Sequence, residues 1–146
     1  MTHDPLLAEA RAYWDGKRAG RAMPARRDID PAEIPRLLPY VMLIDVLADP
    51  PDFRYRLIGT QARSLLRRDY TGQLFSELPG KGPDSVLWQG CAEAVAARAP
   101  VSRSPPYVGP ERWLRDCGNI LLPLSEDGAR VDMILKIVSF TRGRPS

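Results

Sequence analysis

Apolar and polar positions follow two patterns after residue 40, and both patterns are typical of strands. Residues 41–47 are apolar apart from Asp45, which indicates a buried strand. Residues 53–58 alternate strictly, which indicates a half-buried strand. One face of the second strand comprises Phe53, Tyr55 and Leu57, and the other comprises Arg54 and Arg56. Because only a short turn at residues 49–52 joins the strands, they are predicted to form an antiparallel hairpin.

Helical spacing occurs on both sides of this hairpin. A first helix is predicted to begin at Asp4–Pro5 and to end between Gly16 and Gly20, because Asp and Pro favour a helix start. Its apolar stripe consists of Leu6, Leu7, Ala10, Tyr13 and Trp14. Beyond the hairpin, helices are predicted at residues 61–67 and 83–99. Three further strands are predicted at residues 101–107, 113–124 and 131–140.

The order of two strands, helices and three strands predicts an α+β domain with one antiparallel sheet. A helical crossover would bring the later strands back beside the first pair. The helices are expected to cover one face of the sheet and to leave a hollow beneath them. The predicted organisation is an N-terminal helical extension at residues 1–40, a domain at residues 41–140 and a tail at residues 141–146.

The composition is that of a soluble globular protein. The chain has 146 residues, 44% of them hydrophobic and 27% charged, which fits one packed domain. No apolar run reaches the roughly 18 residues of a membrane span, and the N-terminus lacks a signal-peptide pattern. We therefore expect a cytoplasmic protein without membrane association. The net charge of +3 comes from scattered arginines, which favours a solvated surface over a nucleic-acid interface.

The histidine, glycine and cysteine content argues against most catalytic and cofactor sites. His3 is the only histidine, which disfavours serine-triad, cysteine–histidine and zinc-protease chemistry, and also histidine-ligated haem. Gly80-Lys81-Gly82 is too short for a phosphate-binding loop. Cys91 and Cys117 are far apart and lack metal-ligand spacing. We expect neither enzyme activity nor a metal site, and the sequence leaves any cofactor unidentified.

The predicted hollow supplies a set of candidate ligand-binding residues. Cys117 and Asn119 share a face of their strand if alternation holds. Tyr55 and Trp88 carry large amphipathic rings, for which core packing is the first interpretation and ligand contact the second. The complete candidate set is Tyr55, Leu57, Trp88, Cys91, Cys117, Asn119, Met133 and Leu135.

Asp45 interrupts an apolar strand and has two interpretations. It could face the hollow and accept a hydrogen bond from a ligand. Alternatively, it is an outward residue on the solvated face of the sheet or pairs with Arg54 or Arg56 across the hairpin, and we favour this alternative because opposite charges commonly pair across strands.

Several motifs resemble those of the single-domain PAS-like proteins common in alphaproteobacteria. The more specific stretches are Pro24-Ala25-Arg26 followed by Asp28-Ile29-Asp30-Pro31, and Tyr55-Arg56-Leu57-Ile58-Gly59-Thr60. Weaker matches lie at Tyr13-Trp14, Asp69-Tyr70-Thr71-Gly72 and Leu122-Pro123-Leu124-Ser125. The resemblance covers nearly the whole chain. It implies a five-stranded PAS sheet with helices on one side and an N-terminal helix that can dimerise, but it implies little about a ligand.

The resemblance bears on flavin binding and on dimerisation. Photoactive PAS relatives carry their reactive cysteine in an Asn-Cys-Arg-Phe setting, whereas Cys91 lies in Gln89-Gly90-Cys91-Ala92, so covalent flavin is not expected. The stripe on the first helix either packs on its own sheet or pairs with a second copy. We favour a homodimer, because PAS sheets often leave one face apolar. The predicted interface is Leu6, Leu7, Ala10, Tyr13 and Trp14.

These observations predict a sensory or regulatory module that binds a small apolar or amphipathic ligand in the hollow. We expect no output domain after the last strand, and therefore expect the signal to pass to a protein partner. The alternative is a ligand-free interaction adaptor that docks through its sheet or N-terminal segment. Nucleic-acid binding is a third hypothesis, disfavoured because the basic residues are not interleaved with aromatics. Those basic residues are Arg18, Arg21, Arg26 and Arg27.

Overall fold

The computed structural model describes residues 5–66, 68–103 and 114–142, with the backbone alone at 114–117 and 141–142. The helices are α1 (Pro5–Arg18), α2 (Thr60–Arg63) and α3 (Val86–Ala97). The strands are β1 (Val41–Ala48), β2 (Pro51–Ile58), β3 (Val101–Arg103), β4 (Leu114–Leu124) and β5 (Met133–Arg142). Single 3₁₀ turns lie at Arg26–Asp28, Pro31–Glu33, Leu38–Tyr40 and Phe75–Glu77.

The five strands form one antiparallel sheet in the order β2-β1-β5-β4-β3. The last strand, β5, lies at the centre and pairs with β1 on one side and β4 on the other. The segment containing α2 and α3 joins the two outer parts of the sheet. The predicted α+β architecture with a helical crossover is therefore confirmed.

One side of the sheet is covered by α3, and we call it the helical face. Lys136 of β5 lies opposite Met42 of β1 and Leu121 of β4, so the three side chains share a face. A Cβ atom on Gly90 of α3 would lie 3.1 Å from Leu121 Cδ1. This close approach places α3 directly over the helical face.

The opposite side of the sheet is apolar, and we call it the extension face. Leu135 of β5 lies opposite Leu43 of β1 and Leu122 of β4, and all three are buried. Helix α1 contacts β4 and β5. A backbone hydrogen bond, donated by Ser125 N to Pro24 O at 2.9 Å, holds the rest of the extension beside the end of β4. The N-terminal extension therefore forms the second layer over the sheet.

The α1 stripe is buried against its own chain. Ala10 and Trp14, four residues apart, are 1% and 3% exposed, and Trp14 Nε1 donates to Pro123 O at 2.8 Å. Leu6 and Leu7 pack partly buried against the same core. The dimer-interface assignment is therefore wrong for Ala10 and Trp14, because an apolar sheet face in the same chain covers them. A homodimer itself stays a prediction.

Tyr13 joins α1 to the following segment. Its hydroxyl donates to Glu33 Oε1 at 2.8 Å and accepts from Asp30 N at 2.9 Å. Lys17 Nζ lies 2.7 Å from the same Glu33 oxygen. The side of α1 that carries Tyr13 is therefore also engaged within the chain.

A bulge in the β1–β2 pair changes the face of Leu57. Leu43 pairs with Leu57 but the next residue, Ile44, pairs with Tyr55, so Arg56 is the extra residue. Tyr55 is 1% exposed, whereas Leu57 is 45% exposed. Strict alternation predicted one shared face for both residues, and this was wrong because the bulge interrupts the alternation.

Candidate functional site

An aromatic cluster occupies the helical face near β2. Tyr55 and Phe75 have ring centroids 4.7 Å apart, and Phe53 lies 5.6 Å from Phe75. The Trp88 ring of α3 meets Phe53 edge-on at 5.0 Å. Tyr70 stacks on Tyr55 at 6.2 Å. The rings connect β2, α3 and the intervening loops into one apolar wall.

Cys91 lies behind this wall, one residue after the close contact at Gly90. Burial raises the pKa of the Cys91 thiol to about 11, although the charges of Lys136 and Arg103 partly offset this effect. Burial also raises the pKa of Tyr55, with a further contribution from Cys91. Both groups are therefore neutral near pH 7, so Cys91 is not a reactive thiolate.

Two lysines lie beside the aromatic cluster. Lys136 projects from the middle of the central strand and is 5% exposed. Lys81 lies in the loop before α3, with Nζ 5.4 Å from the centroid of the Tyr70 ring. Partial burial and the charge of Lys136 lower the pKa of Lys81 to about 8. The two like charges thus interact across the helical face.

Asn119 and Arg103 supply buried hydrogen-bonding atoms at the other end of the face. They lie opposite each other in the β3–β4 pair. Asn119 is 5% exposed and its Oδ1 atom accepts no hydrogen bond. The Nε atom of Arg103 is also buried without an acceptor, while the same guanidinium pairs with Glu93 at the rim. Buried polar atoms are rarely left unsatisfied, so this end of the face is polar and under-satisfied.

The structure brings together four of the eight predicted site residues. Tyr55, Trp88, Cys91 and Asn119 all lie on the helical face. Only the backbone pairing of Cys117 with Phe140 is described, so its side chain lies outside the described part.

Three predicted site residues do not belong to the helical face. Leu57 is exposed beyond the β2 bulge. Met133 pairs with Asp45 and Leu124, which places it on the extension face with Leu135. The predicted placement of Leu57 beside Tyr55 was wrong because of the bulge. The predicted placement of Met133 and Leu135 was wrong because residues on both faces of β5 are apolar, so alternation alone did not tell which face lies beneath the helix.

The structure adds five residues that the sequence reasoning missed. They are Tyr70, Phe75, Lys81, Arg103 and Lys136. A lysine in an otherwise apolar strand was the available signal for Lys136, since lysine is rarely buried. The loop residues carried no periodic pattern that could have placed them.

Asp45 follows the favoured interpretation. Its carboxylate accepts from Arg54 Nε at 3.2 Å and from Arg56 Nε at 3.1 Å. It lies opposite Met133 and is therefore on the extension face, outside the candidate site. The cross-strand ion pair is confirmed.

Within residues 5–66, 68–103 and 114–142, no group of three or more potential metal ligands is clustered. Over the same described ranges, no helix combines the length and the apolar character needed to cross a bilayer.

A solved structure of a sensory box sensor histidine kinase from Vibrio cholerae superimposes with a TM-score of 0.52 at 19% identity, covering 75% of this chain and 88% of that one. At this identity the likeness shows the fold. No curated protein matches. A family model described as a PAS domain matches residues 1–135, nearly the whole chain. This chain therefore belongs to the PAS domain family.

Proposed function

We propose that this PAS domain is a sensory module that binds a small ligand between α3 and the helical face. The observation that carries the proposal is the buried Oδ1 atom of Asn119, which has no hydrogen-bond partner and lies on the face that also carries the aromatic cluster. Ligand sites combine an apolar wall with a few buried polar groups that fix orientation. A ligand donor at Asn119 would satisfy that oxygen.

The extension face offers the output for such a signal. Successive residues of β5 point to opposite faces of the sheet: Lys136 lies on the helical face, and Leu135 packs beneath the N-terminal extension. A ligand that shifts β5 would therefore disturb the packing of α1 on the sheet. We propose that a protein partner reads this change at the extension, and that the module itself is not catalytic.

Native and denaturing mass spectra of the purified protein test the proposal. We expect a mass excess in the native spectrum that disappears on denaturation. The Asn119→Leu variant, which replaces the amide by an apolar group of similar size, should lose this excess. Met133→Leu, a comparable change on the extension face, should retain it. The same native spectra report whether the protein is a homodimer.

A bare polypeptide in both spectra would contradict the ligand proposal and favour the ligand-free adaptor. Equal mass excess in wild type and Asn119→Leu would place the ligand elsewhere in the molecule. The adaptor hypothesis also predicts that a partner is recovered equally well by wild type and Asn119→Leu in a pull-down.

A further inference from the structure

The bulge in β2 turns a leucine and two arginines toward the same side of the sheet. Arg54 lies opposite Asp45, and Leu57 lies opposite Leu43, so both belong to the extension face. The extra residue, Arg56, points the same way, because its Nε atom donates to the Asp45 carboxylate at 3.1 Å. Bulges commonly re-aim side chains in this manner. The outer edge of the extension face therefore carries Arg54, Arg56 and Leu57, which we call the β2 rim.

The β2 rim is open to solvent. The side chains of Arg54 and Arg56 are 40% and 58% exposed, and Leu57 is also exposed. Leu38, another exposed leucine, lies beside the end of β2, where its carbonyl oxygen packs against Gly59. The bulge thus moves Leu57 from the core side to the surface. This gives up burial within the chain and leaves an apolar spot that a partner could cover.

The charge of the β2 rim is positive and partly available for binding. Two guanidinium groups share one carboxylate, that of Asp45. Arg54 approaches it with both Nε and Nη2, whereas the described contacts of Arg56 are made by Nε alone. Asp45 therefore orients the Arg56 guanidinium and leaves its terminal nitrogens to bind a further carboxylate.

We infer that the β2 rim is the docking surface for an acidic, amphipathic segment of a protein partner. An apolar side chain of that segment packs on Leu57, and one of its carboxylates binds Arg56. This inference rests on the proposed function and gives the chemistry of the partner that receives the signal.

Charge complementarity selects this occupant over the others. A second copy docked by two-fold symmetry about the β2 rim would bring arginine against arginine. The surplus of positive charge is too small for a nucleic-acid backbone or an anionic membrane, since tight binding of phosphates takes several cations. An acidic segment with an apolar side chain matches both the arginines and Leu57.

Phage display of random dodecapeptides tests the inference with the full-length protein as bait. Peptides that bind wild type are depleted against the double variant Arg56→Gln/Leu57→Thr. We expect the remaining peptides to combine Asp or Glu with an aromatic or long aliphatic residue. No enrichment, or enrichment of basic or uncharged peptides, would overturn the inference.

Single variants then assign the contacts, with the affinity of the best enriched peptide measured by fluorescence anisotropy. Arg56→Gln and Leu57→Thr should each weaken binding about ten-fold, and Arg56→Lys should weaken it less. Arg27→Gln is the matched charge control, because Arg27 is another exposed arginine paired with a carboxylate, that of Glu126. Val86→Thr is the apolar control, because Val86 is exposed on α3. Neither control should change the affinity.

Two further measurements separate docking from folding. Urea denaturation should give wild-type midpoints for Arg56→Gln and Leu57→Thr, because both side chains are exposed and Asp45 keeps its bonds to Arg54. Raising the salt concentration from about 0.1 M to about 1 M should weaken peptide binding to wild type and affect Arg56→Gln less.

The outcomes separate the inference from the proposed function. Equal peptide affinity in wild type and either β2-rim variant would overturn the inference, as would self-association of wild type that is lost in Leu57→Thr. If it is overturned while the native mass spectrum shows a ligand, the docking surface alone is wrong. If the peptides behave as expected but the polypeptide is bare, the docking surface stands and the ligand proposal is wrong.

Discussion

The two faces of the sheet differ in what they bury. The extension face is aliphatic at its centre, where Leu43, Leu135 and Leu122 lie side by side beneath the N-terminal extension. The helical face carries Lys136 at the corresponding central position and is covered by α3. Buried aliphatic side chains such as these three contribute stability, whereas burial of an ammonium group such as that of Lys136 has a desolvation cost. Under the proposed function, the extension side serves packing and the helical side serves recognition of the ligand.

The largest expected effect in this comparison is the loss of stability caused by Trp14→Ala on the extension side. Removing this buried ring and its hydrogen bond to Pro123 should lower the free energy of unfolding by about 3–5 kcal/mol. Trp88→Ala on the helical side should lower it less, because Trp88 is only half-buried. Urea denaturation of both variants measures the two losses. A greater loss in Trp88→Ala would contradict the assignment of stability to the extension face.

The fold followed from the sequence because its elements have clear periods. The alternating strand around Phe53 and the long apolar strands at each end of the domain predicted the antiparallel sheet, and β1–β5 pairing confirmed the crossover. The role of α1 did not follow. The apolar stripe of α1, which includes Ala10 and Trp14, is expected to pack on another apolar surface. Periodicity does not show whether that surface belongs to the same chain or to a second copy.

The candidate site was only partly predictable, for two physical reasons. On β5, Leu135 and Ile137 on one face and Ile134 and Val138 on the other are all buried, so alternation did not show which face lies beneath the helix. On β2, the extra residue Arg56 ends the alternation that should have carried Leu57 inward. Lys81 lies in a loop, and its approach to Lys136 depends on tertiary contacts that no local pattern encodes.

A second, smaller test concerns the charge on the extension side. Asp45 is buried but is bonded to both Arg54 and Arg56, which are partly exposed. Asp45→Asn should therefore lower the free energy of unfolding by only about 1–2 kcal/mol, since the arginines can turn to solvent. Chemical denaturation at low and high salt measures this loss. The mass excess in the native spectrum should not change, and a change would contradict the separation of the faces.

The smallest expected effect is that of Lys81→Met, which should raise the free energy of unfolding, whereas the two substitutions above lower it. Its pKa is about 8 in the folded protein and near 10.5 when unfolded, so below pH 8 the charged form destabilises the ligand-free fold. Lys81→Met should therefore raise the free energy of unfolding at pH 7 by about 1 kcal/mol, after allowing for partial exposure and for the lost contact with Tyr70.

This gain should shrink as the pH rises from 8 towards 10.5, because folded wild type then releases the proton that its unfolded state retains. Lys17→Met provides the control of opposite sign, since the hydrogen bond to Glu33 raises the pKa of Lys17 and its charge favours the fold. Urea denaturation of the three proteins at pH 7 and pH 9.5 measures both trends. A gain in Lys81→Met that is equal at the two pH values would show that the charge of Lys81 is not its cause, and the contrast between the two faces would then rest on shape alone.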